Sequence, residues 1–141
     1  MAILSKYISG LVAAMAALLC PITPLIITAT VFIAVDFVTG IFASYVAAKN
    51  SGEEFRIESR KAWRTIYKLC FVLTGIVMTW VLDYSVLGFM QLNLANLFTG
   101  FVCGVELWSF IENASTISQS KLFMWLGRWI KNKLRKEVGD E

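Results

Sequence analysis

Long apolar stretches separated by short polar segments are the dominant pattern of this 141-residue chain. Because a helix crosses the hydrocarbon core of a membrane with about 20 apolar residues, runs of that length predict transmembrane helices. Three runs meet this requirement, at residues 25–48, 65–90 and 94–112. The first follows Pro24 and ends at the helix-stop sequence Lys49-Asn50-Ser51-Gly52. The short link Gln91-Leu92-Asn93 joins the other two and predicts an antiparallel hairpin.

A fourth apolar run, at residues 3–20, is shorter, contains Lys6 and ends at Pro21. It can be a short span, an amphipathic helix at the membrane interface or a signal sequence. Cleavage as a signal is disfavoured, because Leu19, Cys20 and Pro21 do not form the small-residue site that cleavage requires. We therefore expect one membrane domain with an all-α integral membrane fold and three to four transmembrane helices.

The distribution of the 13 Lys and Arg residues predicts how the chain is oriented. They lie at Lys6, in the stretch 49–68, which carries six of them, and in the tail 121–136, and basic loops remain on the cytoplasmic side. The stretch 49–68 and the carboxyl terminus are then cytoplasmic, and the uncharged link 91–93 is external. Four spans place every basic residue inside, whereas three leave Lys6 outside, so the charge pattern favours four.

Composition argues against an enzyme. The chain is 57% hydrophobic and 16% charged, and it has no His, which is the commonest general base and metal ligand. The three cysteines, Cys20, Cys70 and Cys103, have no metal-ligand spacing and are interpreted as small buried apolar residues. We expect no catalytic residue, no metal and no cofactor.

Asp36 lies in the middle of the first long run. A carboxylate at the membrane centre costs about 2.5–3.5 kcal/mol on insertion scales, so Asp36 should face protein, water or a partner rather than lipid. It belongs to a stripe of small and polar residues at helical spacing, formed by Thr28, Asp36, Gly40, Ala43, Ser44 and Ala47. The stripe can line a pore, or it can be a packing seam in which Asp36 is protonated or hydrogen-bonded to a neighbouring helix.

The run 94–112 has a stronger polar face, made of Asn96, Thr99, Cys103, Glu106 and Asn113, with Ser109 at its edge. Gly100 and Gly104 form a small-xxx-small pair that would allow close approach of a helix, either within the chain or from a second copy. Asp83, near the external end of the preceding run, is expected to be solvated and is assigned no role.

The segments outside the spans are also predicted to be helical. Residues 50–68 indicate a short cytoplasmic helix, with Trp63 and Tyr67 as interfacial anchors. Residues 120–137 indicate an amphipathic helix on the cytoplasmic leaflet, because apolar and cationic residues fall on opposite sides. The residues expected at the membrane surface are Trp125, Arg128, Trp129, Lys131 and Arg135. No nucleic-acid partner is expected, since topology alone requires this basic charge.

Three short motifs occur in order along the chain. They are D-x-x-T-G at Asp36, Thr39 and Gly40, then Ser59-Arg60-Lys61, then E-x-x-S-x-x-E-N at Glu106, Ser109, Glu112 and Asn113. In these motifs, and from about Leu25 to the tail, the chain resembles the small bacteriophage holins of the toxin-secretion and phage-lysis type.

The resemblance implies a multi-pass protein that accumulates in the bacterial inner membrane, forms homo-oligomers and permeabilises the membrane. A cell-wall hydrolase (endolysin) or a toxin would then leave the cytoplasm as cargo. Asp36 and Glu106 would be the intramembrane polar centres of assembly, with Glu112 and Asn113 at the cytoplasmic end of the last span. Two alternatives stay open: a small ion channel or transporter that uses both carboxylates as coupling sites, and a membrane adaptor that recruits a cytoplasmic partner.

Overall fold

The computed structural model describes residues 2–52, 54–55, 59–90, 92–118 and 120–138, and these residues form helices and turns without any strand. The five α-helices are α1 (Ala2–Leu19), α2 (Thr23–Ser51), α3 (Ser59–Ser85), α4 (Leu94–Ser118) and α5 (Lys121–Val138). Three helical segments are long and apolar enough to cross a membrane, namely Leu4–Ser51, Ser59–Ser85 and Leu94–Ser118. The predicted all-α membrane fold is confirmed.

The junction between α1 and α2 is a single 3-10 turn, Cys20–Ile22, in which the Thr23 N–H donates to the Cys20 carbonyl. The prolines lie where a helix start tolerates them, so they change the type of turn without ending the helical path. The described side chains from Leu4 to Leu18 are all exposed, and Leu19, at the end of α1, is partly buried against the core. Whether residues 3–20 span the membrane stays a prediction.

Helices α2, α3 and α4 form a three-helix bundle in which α4 packs against both of the others. Its core is small and consists of Ile22, Ala29, Ile33, Val72, Ile76 and Val102. Large apolar side chains such as Phe71 and Phe101 point outward and are 77% and 71% exposed. An apolar exterior around a thin core is the arrangement expected in lipid, where helix association depends on close packing and polar contacts.

The ends of these helices differ in part from the predicted runs. Helix α2 ends at the predicted stop signal: Gly52 has a φ of +73° and its N–H donates to the Ala48 carbonyl. Helix α3 begins at Ser59, so the predicted short cytoplasmic helix and the second span are one helix. No Gly or Pro interrupts the chain between Ser59 and Thr65, and Arg and Lys favour helix, which explains the earlier start.

The connection from α3 to α4 depends on Asp83. Helix α3 ends at Ser85, and turns at residues 86–90 lead towards Asn93, which has a φ of +52°. The Asp83 Oδ2 accepts a hydrogen bond from the Ala95 N–H at 2.9 Å, and so satisfies a free donor in the first turn of α4. Asp83 was assigned no role from the sequence. It lies near the end of α3 and caps the start of α4.

Candidate functional site

Each helix of the bundle contributes at least one polar side chain to a common cluster. Asp36 lies near the middle of α2, Lys68 lies in the first half of α3, and Glu106 and Asn113 lie two turns apart on α4. The side chain of Glu106 is 3% exposed and that of Asp36 is 13% exposed. We call Asp36, Lys68, Glu106 and Asn113 the polar cluster.

Lys68 connects the two carboxylates. Its Nζ lies 2.7 Å from the Glu106 Oε2 and 3.4 Å from the Asp36 Oδ2, so the contact with Glu106 is the stronger of the two. The Lys68 side chain is 40% exposed, although its ammonium group contacts carboxylates that are 13% and 3% exposed. One cation therefore serves two carboxylates from two other helices.

Asn113 completes the partners of Asp36. Its Nδ2 donates to the Asp36 Oδ1 at 3.1 Å and also lies 3.5 Å from the Thr39 hydroxyl oxygen. The Thr39 hydroxyl itself donates to backbone carbonyls one turn back, those of Val35 and Asp36. Both Asp36 oxygens are thus engaged, Oδ1 by α4 and Oδ2 by α3.

All three residues of the D-x-x-T-G motif lie beside the Asn113 amide. Asp36 accepts its hydrogen bond, and the Thr39 hydroxyl oxygen lies 3.5 Å from the same nitrogen. A Cβ at Gly40 would lie 3.5 Å from the Asn113 Nδ2, which is an ordinary contact distance, so alanine would fit at this position.

The predicted site residues separate into two groups. The structure brings together Asp36, Thr39, Gly40, Glu106 and Asn113. Ser109 is partly buried on α4, and Glu112 is exposed one residue before Asn113. No metal-binding group of three His, Cys, Asp or Glu side chains occurs among the described residues. The roles of Ser109 and Glu112 in assembly stay predictions.

Gly100 and Gly104 lie on an exposed face of α4. A Cβ added at either position would meet nothing within 4 Å, so the described helices of the chain do not pack there. Close packing within the chain, one of the two expectations for this pair, is therefore wrong for the described residues. Phe101, Val105 and Trp108 surround Gly104 and form a shallow apolar depression with it. The other expectation, contact with a second copy, stays a prediction.

The tail helix α5 has an aromatic surface. The rings of Trp125 and Trp129 stack with centroids 6.4 Å apart, and the Lys133 Nζ lies 5.9 Å from the centre of the Trp129 ring. Arg128 is exposed, and its Nε donates to the Met124 carbonyl. The side chains of Lys131 and Arg135 lie outside the described residues. Binding of this surface to lipid stays a prediction.

Lys68 is the member of the polar cluster that sequence reasoning missed. It was counted with the basic cytoplasmic stretch, although it lies inside the predicted run 65–90. A signal was available, since a lysine inside a span requires a carboxylate partner, and the only carboxylates predicted near mid-membrane were Asp36 and Glu106. Its helical position relative to Lys61 and Thr65 also indicates one shared face of α3.

The arrangement joins three helices electrostatically. Removing one partner of a buried ion pair leaves an uncompensated charge, so the cluster favours the packed bundle over separated helices in lipid. Its charges would be solvated if the same helices faced an aqueous space. The cluster can therefore be satisfied in two ways, by contacts within the chain or by water.

The chain matches the model of a known protein family. The family model described as the bacteriophage holin family matches residues 13–134, which is most of the chain and includes the whole polar cluster. No curated protein and no solved structure matches the chain.

Proposed function

The chain belongs to the bacteriophage holin family, a family of membrane-permeabilising proteins, and we propose that it oligomerises in the bacterial inner membrane to release a cell-wall hydrolase or a toxin. The observation that carries the proposal is the polar cluster. It places Asp36, Lys68 and Glu106 between helices of a bundle whose outer surface is apolar. Such a bundle is compatible with lipid on all sides before permeabilisation begins.

A single chain is too small to enclose an aqueous passage. The interior of the three-helix bundle is filled by apolar side chains and by the polar cluster. Several copies are therefore required, and closed rings of identical subunits are the usual solution. In the proposed mechanism, copies accumulate with their polar clusters closed and later associate so that the clustered residues face water.

In the proposed mechanism, the charges of the polar cluster have partners in two states. With the bundle closed, Lys68 is paired with Glu106 and Asp36. With the helices rotated towards an aqueous lesion, water replaces these partners. Separating the charges then costs less free energy than it would in lipid. A protein with two such states can change abruptly when its concentration favours the assembled one.

The topology that we propose has four spans with both termini in the cytoplasm. The helical segment Leu4–Ser51 has 48 residues. At about 1.5 Å per residue it would be roughly 70 Å long, more than twice the hydrocarbon thickness of about 30 Å. One span cannot accommodate this length, so the four-span proposal requires the chain to reverse at the Cys20–Ile22 turn, where the closed monomer keeps a continuous helical path. Helix α5 would then lie on the cytoplasmic leaflet through Trp125 and Trp129.

The test is induced expression in a bacterium, with membrane potential recorded and with a cytoplasmic peptidoglycan hydrolase present or absent. We expect abrupt depolarisation, followed by lysis only when the hydrolase is present. Cells that stay polarised with the protein verified in their membrane would contradict the proposal. Saturable, ion-specific current without passage of large solutes would indicate a small channel instead.

A further inference from the structure

A second polar feature lies at the end of the bundle where α2 connects to α3. It is a pocket of about 310 Å³, lined by Asp36, Phe37, Gly40, Ile41, Ser44, Lys61, Arg64, Thr65 and Asn113. Asp36 and Asn113 belong to the polar cluster and are already bonded to each other. The cations Lys61 and Arg64 have no part in that cluster, and both are exposed.

The two cations are positioned by the helices that carry them. Lys61 and Arg64 are three residues apart, so they lie on the same side of α3. The Lys61 Nζ donates to the Ser44 Oγ at 2.9 Å, which holds the ammonium group across the pocket towards α2. The Ser44 hydroxyl donates in turn to the Gly40 carbonyl at 2.8 Å, so its oxygen is oriented to accept from Lys61.

The charge in the pocket is unbalanced among the described residues. The Asp36 carboxylate is engaged through Oδ1 by Asn113 and through Oδ2 by Lys68. In the described part of the chain, ion pairs are formed by Lys68 with Asp36 and Glu106 and not by Lys61 or Arg64. Because an ammonium has three donors and a guanidinium has five, both groups retain capacity for an anion.

The outer end of the pocket, at Lys61 and Arg64, lies beside two aromatic residues of the kind found in the headgroup region. Trp63 and Tyr67, on the same part of α3, are 58% and 59% exposed, and their ring centroids are 6.0 Å apart. Aromatic side chains of this kind mark the membrane–water interface, and basic pockets between spanning helices at that level bind anionic headgroups. Phe37 and Ile41 provide an apolar wall on the inner side of the pocket.

We infer that this pocket binds the phosphate of an anionic phospholipid, with Lys61 and Arg64 donating to the phosphate oxygens and Phe37 and Ile41 contacting the adjoining apolar part. The inference does not rest on the proposed function, since lipid binding is a property of the purified chain and requires no lysis. Phosphate bound by two charged donors is favoured in a partly desolvated pocket.

The experiment is native mass spectrometry of the purified full-length chain in detergent, with added phosphatidylglycerol or zwitterionic phosphatidylcholine. We expect one phosphatidylglycerol to be retained per chain in preference to phosphatidylcholine. The double variant Lys61→Ala with Arg64→Ala should lower this retention roughly 10-fold or more. The exchanged pair Lys61→Arg with Arg64→Lys keeps both charges and should retain the lipid, which separates loss of charge from loss of fold.

Arg60→Ala is the matched control, because Arg60 is an exposed cation on the same turn of α3 that does not line the pocket. Its retention of phosphatidylglycerol should equal that of the unaltered chain. Equal losses in Arg60→Ala and in the double variant would overturn the inference, since they would indicate diffuse surface charge. Equal retention of the two lipids, or displacement of phosphatidylglycerol by millimolar inorganic phosphate, would also overturn it.

Discussion

The Lys68 ammonium lies 2.7 Å from the Glu106 carboxylate, which is 3% exposed, and this contact joins α3 to α4. The same ammonium lies 3.4 Å from Asp36 on α2. Because lipid supplies no partner for a charge, this single side chain affects the packing of all three bundle helices. The first two predictions depend on it.

Replacing Lys68 with Met should destabilise the closed bundle and advance lysis. The change leaves the Asp36 and Glu106 carboxylates without their cation. Loss of one partner of a buried pair costs about 3–5 kcal/mol, and the partial exposure of Lys68 should reduce this to about 1–3 kcal/mol. Unfolding of the purified chain in mixed micelles measures the stability, and culture turbidity measures the onset of lysis. Lys68→Arg keeps the charge, so its stability and its onset of lysis should be close to those of the unaltered protein. Unchanged lysis timing in Lys68→Met would contradict the prediction.

Glu106 should be coupled to Lys68 more strongly than Asp36 is. It is the more buried carboxylate and has the shorter contact, whereas Asp36 also has Asn113 as a partner. A double-mutant cycle on unfolding free energy, with Lys68→Met combined with Glu106→Gln or with Asp36→Asn, measures both couplings. We expect about 1–3 kcal/mol for the Glu106 pair and a smaller value for the Asp36 pair. The reverse order would show that the 3.4 Å contact is the dominant one.

Gly75→Ala should weaken the packing of α3 against α4. A Cβ at Gly75 would lie 2.5 Å from the Phe98 ring, so the ring or the helix must move. Overpacking of this kind costs about 1–3 kcal/mol. Gly100→Ala is the control, since a Cβ there meets nothing within 4 Å and the substitution should only add the helix propensity of alanine, about 0.5–1 kcal/mol, which Gly75→Ala gains as well. Equal thermal stability of the two variants in detergent would contradict the packing described here.

Gly104→Leu should separate assembly from folding. The position is open within the chain, so helix content and monomer stability should be preserved. If this α4 face contacts a second copy, as the Gly100 and Gly104 pair predicts, the yield of cross-linked oligomer in membranes should fall several-fold, because close helix approach needs small residues. Ala34→Leu adds comparable bulk at an exposed position of α2 and should leave the yield unchanged. Undiminished cross-linking in Gly104→Leu would show that this face of α4 contacts lipid and not a second copy.

Asp83→Ala should loosen the start of α4. The substitution removes the acceptor of the Ala95 N–H, and loss of a helix cap costs about 0.5–2 kcal/mol. Hydrogen exchange at the Ala95 amide should become faster, while exchange near the polar cluster stays slow. Ser85→Ala, at an exposed position of the same turn, is the comparison. An Ala95 amide equally protected in both variants would show that this bond does not cap the helix.

The helices and the candidate carboxylates could be predicted from sequence because lipid constrains both strongly. A span needs a long apolar run, so the runs 25–48 and 94–112 predicted the helices Thr23–Ser51 and Leu94–Ser118 to within a few residues at most ends. A carboxylate inside a span is costly, so Asp36 and Glu106 were identified before their partner was known.

The rest depended on three-dimensional packing. The rule that basic residues lie on the cytoplasmic side applies to Lys68 by its position in the sequence alone. It does not predict that the side chain points into the bundle. The continuity of the predicted cytoplasmic helix with the second span was missed, because the charged residues after Ser59 end the apolar run without ending the helix. Neither the cap by Asp83 nor the open face at Gly104 follows from spacing along the chain, since each depends on how neighbouring helices are rotated.

The thin apolar core has a consequence for the uniqueness of the fold. When a helix slides or turns in lipid, apolar side chains such as Val72 and Val102 remain in apolar surroundings. They therefore discriminate weakly between alternative alignments of neighbouring helices. The polar cluster discriminates strongly, because a slip of α4 by one helical turn, about 5.4 Å, would part Glu106 from Lys68 and Asn113 from Asp36 together. Four polar residues thereby select one alignment among many that lipid would tolerate almost equally, as buried polar side chains select the alignment of coiled coils.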